Sequence, residues 1–273
     1  MAQVLVGQLA FDSDRVVLLS ESPDAARAAT SANVRRVFAK LRQQVRPGDL
    51  LFIFLIGHGT FDGIDAKFNL VGPDLESSEW ASLLDGIRGR VILVNTSSAS
   101  FPFIERLSRP GRIVISATDS AAQRFDTVFP EHFIHAFSDD AADIDKNGRV
   151  SIWEAFAAAA AGVRRHYQQR GQLATERALL DDNGDSIGRE AATDGEDGAL
   201  ASRTYLDVPA ADALPTDAVL VELLHRRASL LAEVEELQIK KAFMPPSEYA
   251  REFERLMIAL ATASRDIRRR TGS

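Results

Sequence analysis

Unbroken apolar runs punctuate the first half of the chain: Leu50-Leu-Phe-Ile-Phe-Leu-Ile56, Val91-Ile-Leu-Val94 and Ile113-Val-Ile115. None alternates with polar residues, and each is short, so they predict strands covered on both faces, as in a parallel sheet. Asp14-Arg-Val-Val-Leu-Leu-Ser20 reads as a further short buried strand. Val34, Val37, Phe38, Leu41 and Val45 recur at i, i+3, i+4 and i+7, the apolar face of a helix that Thr30 or Ser31 can cap and that Pro47-Gly48-Asp49 stops. Strands alternating with helices imply βαβ units, and hence an α/β fold with a mostly parallel sheet flanked by helices. The three runs end in Gly57-His-Gly59, Asn95-Thr-Ser-Ser-Ala-Ser100 and Ser116-Ala-Thr-Asp119. Sites on open α/β sheets lie beyond the carboxyl ends of the strands, so these loops hold the first candidates for chemistry.

The pattern changes towards the C-terminus. After Gly188, Arg-Glu-Ala-Ala-Thr-Asp-Gly-Glu-Asp-Gly lacks periodicity and reads as a mobile surface loop. From about Leu214, Leu220, Leu223, Leu224, Leu230, Leu231, Val234 and Leu237 follow helical spacing, Pro245-Pro246-Ser247 interrupts, and Tyr249, Phe253, Leu256, Met257 and Leu260 resume it. Two amphipathic helices joined at the prolines, a helical hairpin or short coiled coil, are expected. The chain thus divides into an α/β domain over residues 1–205 and a helical tail over 206–273, suited to packing or to homo-oligomer assembly.

Composition narrows the function. With 273 residues, 45% hydrophobic and 26% charged, the chain can bury one sizeable core and carry an appendage. A net charge of -7 and a pI near 5.3 exclude a nucleic-acid partner, which requires a basic face. No apolar run approaches the ~20 residues of a membrane span, and Met1 to Leu9 lacks the parts of a signal peptide, so the chain reads as soluble and unexported. Absence of cysteine removes disulfides and thiolate metal sites.

The most specific motif is Asp143-Ile-Asp-Lys-Asn-Gly-Arg-Val-Ser-Ile-Trp-Glu154, which fits the calcium-loop template D-x-D-x-N-G-x5-E without a gap. Asp143, Asp145 and Asn147 would supply side-chain oxygens, Arg149 its carbonyl, Ser151 a direct or water-mediated contact, and Glu154 both carboxylate oxygens, with Gly148 at the turn. Phe133, Ile134 and Phe137 before the loop, and Trp153 and Phe156 after it, fit flanking helices. The bland alternative is an acidic turn that caps a helix without metal. His58, between two glycines at a strand end, can serve as a general base or simply occupy a turn. His132, His135, His166 and His225 fall in helical patterns without a ligand set and are given structural roles.

The order of these features resembles the caspase-like and legumain-like cysteine peptidases, including bacterial members, over roughly residues 1–205. Those families are similar in having an apolar strand that ends in His-Gly, then one ending in an acidic or amide residue, a small residue, Cys, and soon Ser-Gly. Asn95, Thr96 and Ser97 fit the first three places of that second strand end, which puts Ser97 where the cysteine would be. A one-residue shift instead aligns Ser98-Ala-Ser100, leaving Phe101 where Gly is expected. The resemblance implies a Cys-His dyad in which Ser97 or Ser98 replaces the thiol. A hydroxyl is a far weaker acid and needs a base oriented by a third group, and no acid for that role is assignable from the sequence. An inactive peptidase relative acting as a calcium-binding interaction or scaffold protein for a protein or peptide partner is therefore expected. The alternatives are an endopeptidase using Ser and His58, an engineered Cys-to-Ser form, or a calcium-responsive signalling module with the helical tail as output.

Leu180-Asp-Asp-Asn-Gly-Asp-Ser186 resembles the acidic stretch that bacterial legumain-like proteins carry near the substrate side, which makes Asp182 and Asp185, with Asp119 and Arg124, substrate-pocket candidates beside the plainer reading of a solvated turn. Such domains begin with a strand and helix ahead of the segment matching Asp14–Ser20. Met1 to Leu9 reads as the tail of that first helix, which keeps an exported, longer parent open.

Overall fold

The computed structural model describes residues 1–193, 196–207, 219, 223, 226, 227, 230, 233, 234, 237 and 244–271. The chain forms two compact units, Met1–Val208 and Pro209–Ser273.

The first unit is an α/β domain around a four-stranded sheet, ordered β1 (Leu50–Leu55), β5 (Arg90–Asn95), β6 (Arg112–Ser116) and β7 (Leu179–Asp181). The first three run parallel and β7 is antiparallel to β6. Alternate side chains of β5 and β6 leave opposite faces, as the period of two requires. Ile92, Val94, Ile113 and Ile115 join a cluster with Phe129 and Phe133 of α5 (Phe129–Ala136) and Phe156 of α6 (Ile152–Gln169). Val91, Leu93 and Val114 join a second cluster with Phe38 of α2 (Ser31–Gln44), Trp80 of α3 (Ser77–Leu84) and Phe103 of α4 (Pro102–Leu107). Burial on both faces accounts for the unbroken apolar runs of β5 and β6, whereas Leu50 to Phe54 of β1 are only partly buried. Each fully buried large apolar side chain contributes roughly 1.5–3 kcal/mol of transfer free energy, so these helices are held by the sheet rather than by propensity.

Local signals set the boundaries. Thr30 caps α2 by accepting the Asn33 N–H at 3.2 Å, and the chain turns extended at Val45, ahead of Pro47. Between β1 and α3 lies a small antiparallel sheet of β2 (Gly59–Phe61), β3 (Ala66–Phe68) and β4 (Leu75–Glu76). A short helix α1 (Ala2–Gly7) opens the chain, and its Leu5 is buried in the α5/α6 core.

One sequence expectation for this unit fails. Asp14–Ser20 is not a strand: Ser13–Arg15 form a 3-10 turn, and the rest runs extended with a single bridge, Ser20 to Ala28, and with Val17 and Leu18 exposed at 58% and 63%. Apolar residues alone do not make a strand, because a strand needs an adjacent edge to pair with. The stretch after Gly188 is irregular, as its sequence suggests, and is anchored on either side of residues 194 and 195, which lie outside the described residues. Arg189 exchanges backbone hydrogen bonds of 2.9 Å with Leu180, and Asp197 is buried against the backbone of Asp182 and Asn183.

The second unit contains a long helix, α7 (Pro246–Thr271), which starts at a proline, whose missing N–H is harmless in a first turn. Leu256 and Ala263 share an apolar cluster with Leu230, Val234 and Leu237, and Glu233 lies 4.0 Å from Arg255. Leu220, Leu224, His225 and Leu231 of the predicted first tail helix lie outside the described residues. Among the described residues, no helix is long and apolar enough to cross a membrane.

Candidate functional site

Parallel pairing of Leu55 with Asn95 makes the loops that follow β1 and β5 leave the sheet side by side. Thr96 ties them together, its N–H and its hydroxyl both donating to the Leu55 carbonyl, at 3.0 and 2.7 Å. Gly59 completes the join: its N–H donates to Ser98 Oγ at 3.2 Å, and that hydroxyl donates back to the Gly59 carbonyl at 3.0 Å. Ser97 Oγ donates to Asn95 Oδ1 at 2.7 Å, and the same amide oxygen accepts the Ser97 N–H at 3.0 Å. A Cβ at Gly59 would lie 2.7 Å from Ser97 Oγ and closer still to the Ser98 carbonyl, so the approach requires glycine. Both serines are buried.

His58, unlike Gly59, Ser97 and Ser98, is exposed. Its side chain is 69% accessible, and Nδ1 lies 3.1 Å from Oδ1 of Asp126, itself 82% accessible. Asp126 was not among the sequence candidates. It follows β6, and nothing in its local sequence announces that it meets a histidine 68 positions earlier, a separation read directly from the two residue numbers. An exposed pair of this kind contributes little to stability. A serine nucleophile must place its hydroxyl within about 2.6–3.2 Å of the base. The hydrogen bonds of Ser97 and Ser98 run instead to Asn95, to the Ser98 carbonyl and to Gly59. Beneath them, the hydroxyls of Ser100, Ser116 and Thr118 form a buried chain with spacings of 2.9 and 3.1 Å.

Of the weaker pocket candidates, Asp119 pairs with Arg177 at 3.3 Å, while Arg124 is exposed and makes no ion pair among the described residues. Asp182 is buried and accepts three backbone N–H groups, from Gly198, Leu200 and Ala201, at 2.7–2.9 Å. Asp185 accepts the Ile187 N–H at 2.7 Å. Both aspartates therefore act as loop ties. Asp197, absent from the sequence candidates, has an enclosed side chain beside the buried Asp181 and Asp182. Burial pushes its carboxyl above the ordinary range, and Arg189 faces it at 3.4 Å without an aligned hydrogen bond.

The loop at 143–154 is built differently. Asp143 accepts the N–H groups of Asn147 and Gly148 at 3.0 and 2.9 Å, and Asn147 Oδ1 accepts that of Arg149 at 2.9 Å. Positive φ at Lys146 (57°) and Gly148 (85°) wraps the backbone around the aspartates. Ser151 caps α6 in a reciprocal box with Glu154. Glu154 Oε2 accepts the Ser151 N–H and hydroxyl at 2.8 Å each, and Oε1 accepts the N–H groups of Ile144 and Asp145 at 2.8 and 3.2 Å. One carboxylate thus joins the start of the loop to the start of the helix.

As a result, ligand atoms of Asp143, Asp145 and Glu154 lie within 4.8 Å of one another. Burial, then the charge of Glu154, pushes the Asp145 carboxyl above its ordinary value. The Arg149 guanidinium turns to Asp207, at 2.6 and 2.7 Å, and stacks 3.9 Å over the Tyr205 ring, leaving its carbonyl as the group that belongs to the loop. Tyr205 also accepts from Asn147 Nδ2 at 3.0 Å. Helix α5 stops at Ala136, so turns over residues 137–142 separate it from the loop. Hard carboxylate, amide and carbonyl oxygens on a tight turn are the donor set that calcium takes.

No family model matches the chain, and no curated protein matches it. Among solved structures it is similar to the crystal structure of protein GSU0716 from Geobacter sulfurreducens, with 16% identity, 62% of this chain and 80% of that chain covered, and a TM-score of 0.40. A likeness at that level bears on neither fold nor function.

Proposed function

We propose that this protein binds calcium at Asp143–Glu154 and serves as a non-catalytic interaction or scaffold protein, a relative of the caspase-like and legumain-like peptidases that has lost its nucleophile. The convergence of three carboxylates carries the calcium reading. Like charges drawn within 4.8 Å repel, and a divalent cation converts that repulsion into attraction. Asp143, Asp145, Asn147, the Arg149 carbonyl and Glu154 would hold the ion, with Ser151 positioning Glu154 or contributing through water. Helices α5 and α6 with the loop form an EF-hand-like insert in this reading, and the tail is a helical hairpin that holds a partner or a second copy. Loss of activity is supported by the hydroxyls of Ser97 and Ser98 being engaged by Asn95 and Gly59.

The test is calorimetric titration of the metal-stripped full chain with calcium chloride, followed by thermal unfolding. A saturable heat is expected, with about 2.7 kcal/mol of added stability at a free calcium concentration 100 times Kd. Glu154→Gln and Asp143→Asn should abolish both. No heat and no thermal shift in the unsubstituted protein would end the calcium reading.

One observation favours a second reading, an endopeptidase with Ser97 or Ser98 as nucleophile and His58 as base. Asp126 stands where a third group would orient the imidazole. Fluorophosphonate labelling separates the two: the proposal expects neither serine to be modified, and covalent labelling of Ser97 or Ser98 that His58→Ala abolishes would establish the peptidase.

A further inference from the structure

β1 is as apolar as β5 and β6, yet it is the strand that is not sealed. The core-facing residues of β5 and all of β6 are buried, whereas Leu50 to Phe54 are only partly so. Its second edge carries no strand among the described residues. Which groups that edge presents follows from the ladder. The carbonyl of Leu55 accepts from Thr96 and that of Asp49 from Arg90, so odd-numbered residues of β1 turn their backbone groups to β5. The N–H and C=O groups of Phe52 and Phe54 therefore face outward, and no protein partner meets them among the described residues. Unpaired backbone groups in apolar surroundings are costly, and an open edge of this kind is a template for another strand.

A groove of about 600 Å³ runs along that edge. Its lining includes residues 51–55 of β1, residues 17–21, and Val34, Phe38 and Leu41 of α2. The exposed Val17 and Leu18 thus belong to an apolar wall. Of the lining residues, only Arg15, Glu21 and His58 carry or can acquire charge, which fits a neutral, apolar occupant. Backbone donors and acceptors alternating at strand spacing are matched by a polypeptide and not by a lipid chain.

We propose that this groove takes an extended apolar polypeptide segment, which adds to β1 as a further strand through the backbone of Phe52 and Phe54. The probe is a fluorescein-labelled ten-residue peptide of alternating valine and threonine with terminal lysines, titrated into the full chain. Saturable anisotropy is expected, together with at least tenfold slower hydrogen exchange at the Phe52 and Phe54 amides. Leu18→Asp, at an exposed wall position, should weaken binding at least tenfold, with circular dichroism confirming the fold. Absent binding, binding that leaves those two amides unchanged, or full affinity in Leu18→Asp would each overturn the proposal. Self-association that Leu18→Asp abolishes, without peptide binding, would assign the groove to a second copy and overturn it as well.

Discussion

The loop after β5 and the loop before α6 are both short, polar and pinned by hydrogen bonds from side chains to backbone, but they spend their polar groups in opposite ways. Around Ser97 and Ser98 every group in the join is neutral, and both serine hydroxyls are engaged, Ser98 with Gly59 and Ser97 with Asn95, whose buried Nδ2 has no partner among the described residues. At 143–154 the hydrogen bonds shape the turn while leaving three like charges crowded together. The first arrangement uses both serine hydroxyls within the join. The second retains lone pairs and an electrostatic cost that a cation or a proton would relieve. A polar side chain near a strand end or helix start is thus a candidate for chemistry only to the extent that its neighbours have not already used it.

Breaking the closed loop should produce the largest effect. Gly59→Ala forces a methyl group onto the Ser98 carbonyl and Ser97 hydroxyl, and should cost about 3 kcal/mol, the upper end of the usual range for overpacking, in urea unfolding. Glu154→Ala, studied with chelator so that metal plays no part, strands the N–H groups of Ile144, Asp145 and Ser151 and should cost about 2 kcal/mol. An unchanged midpoint there would mean that the loop is not held by its glutamate. Ser98→Ala removes one hydroxyl bridge to Gly59 and should cost about 1 kcal/mol in the same assay. His58→Ala should change stability by less than about 0.5 kcal/mol, because both members of its ion pair are exposed. A large loss in that variant would show that the histidine is part of the closed join rather than beside it.

Much of the architecture was legible in the residues. Burial of both faces writes an unbroken apolar run, so β5 and β6 could be read from Val91–Val94 and Ile113–Ile115, while the run Leu50–Ile56 gave the strand β1 but not its place at an incompletely covered edge. The α2 face, with its cap at Thr30, follows from a periodicity that repeats within a few residues. The 143–154 turn was legible for the same reason, since its donors lie within twelve consecutive positions, counted from 143 to 154 inclusive.

What the sequence alone determined, then, are those features whose cause lies inside one segment: strand burial, helix face, loop composition. Tertiary structure decided the rest. It left Asp14–Ser20 outside the sheet with a single bridge from Ser20 to Ala28, brought Asp126 to His58, and set the Asp197 carboxylate against the backbone of Asp182. It also gave the hydroxyls of Ser98 and Ser97 to Gly59 and Asn95. The physical reason is common to all of these. Hydrogen-bond capacity and edge pairing are settled by whichever group arrives at about 3 Å, and arrival between distant segments depends on how whole layers pack, which no local pattern records.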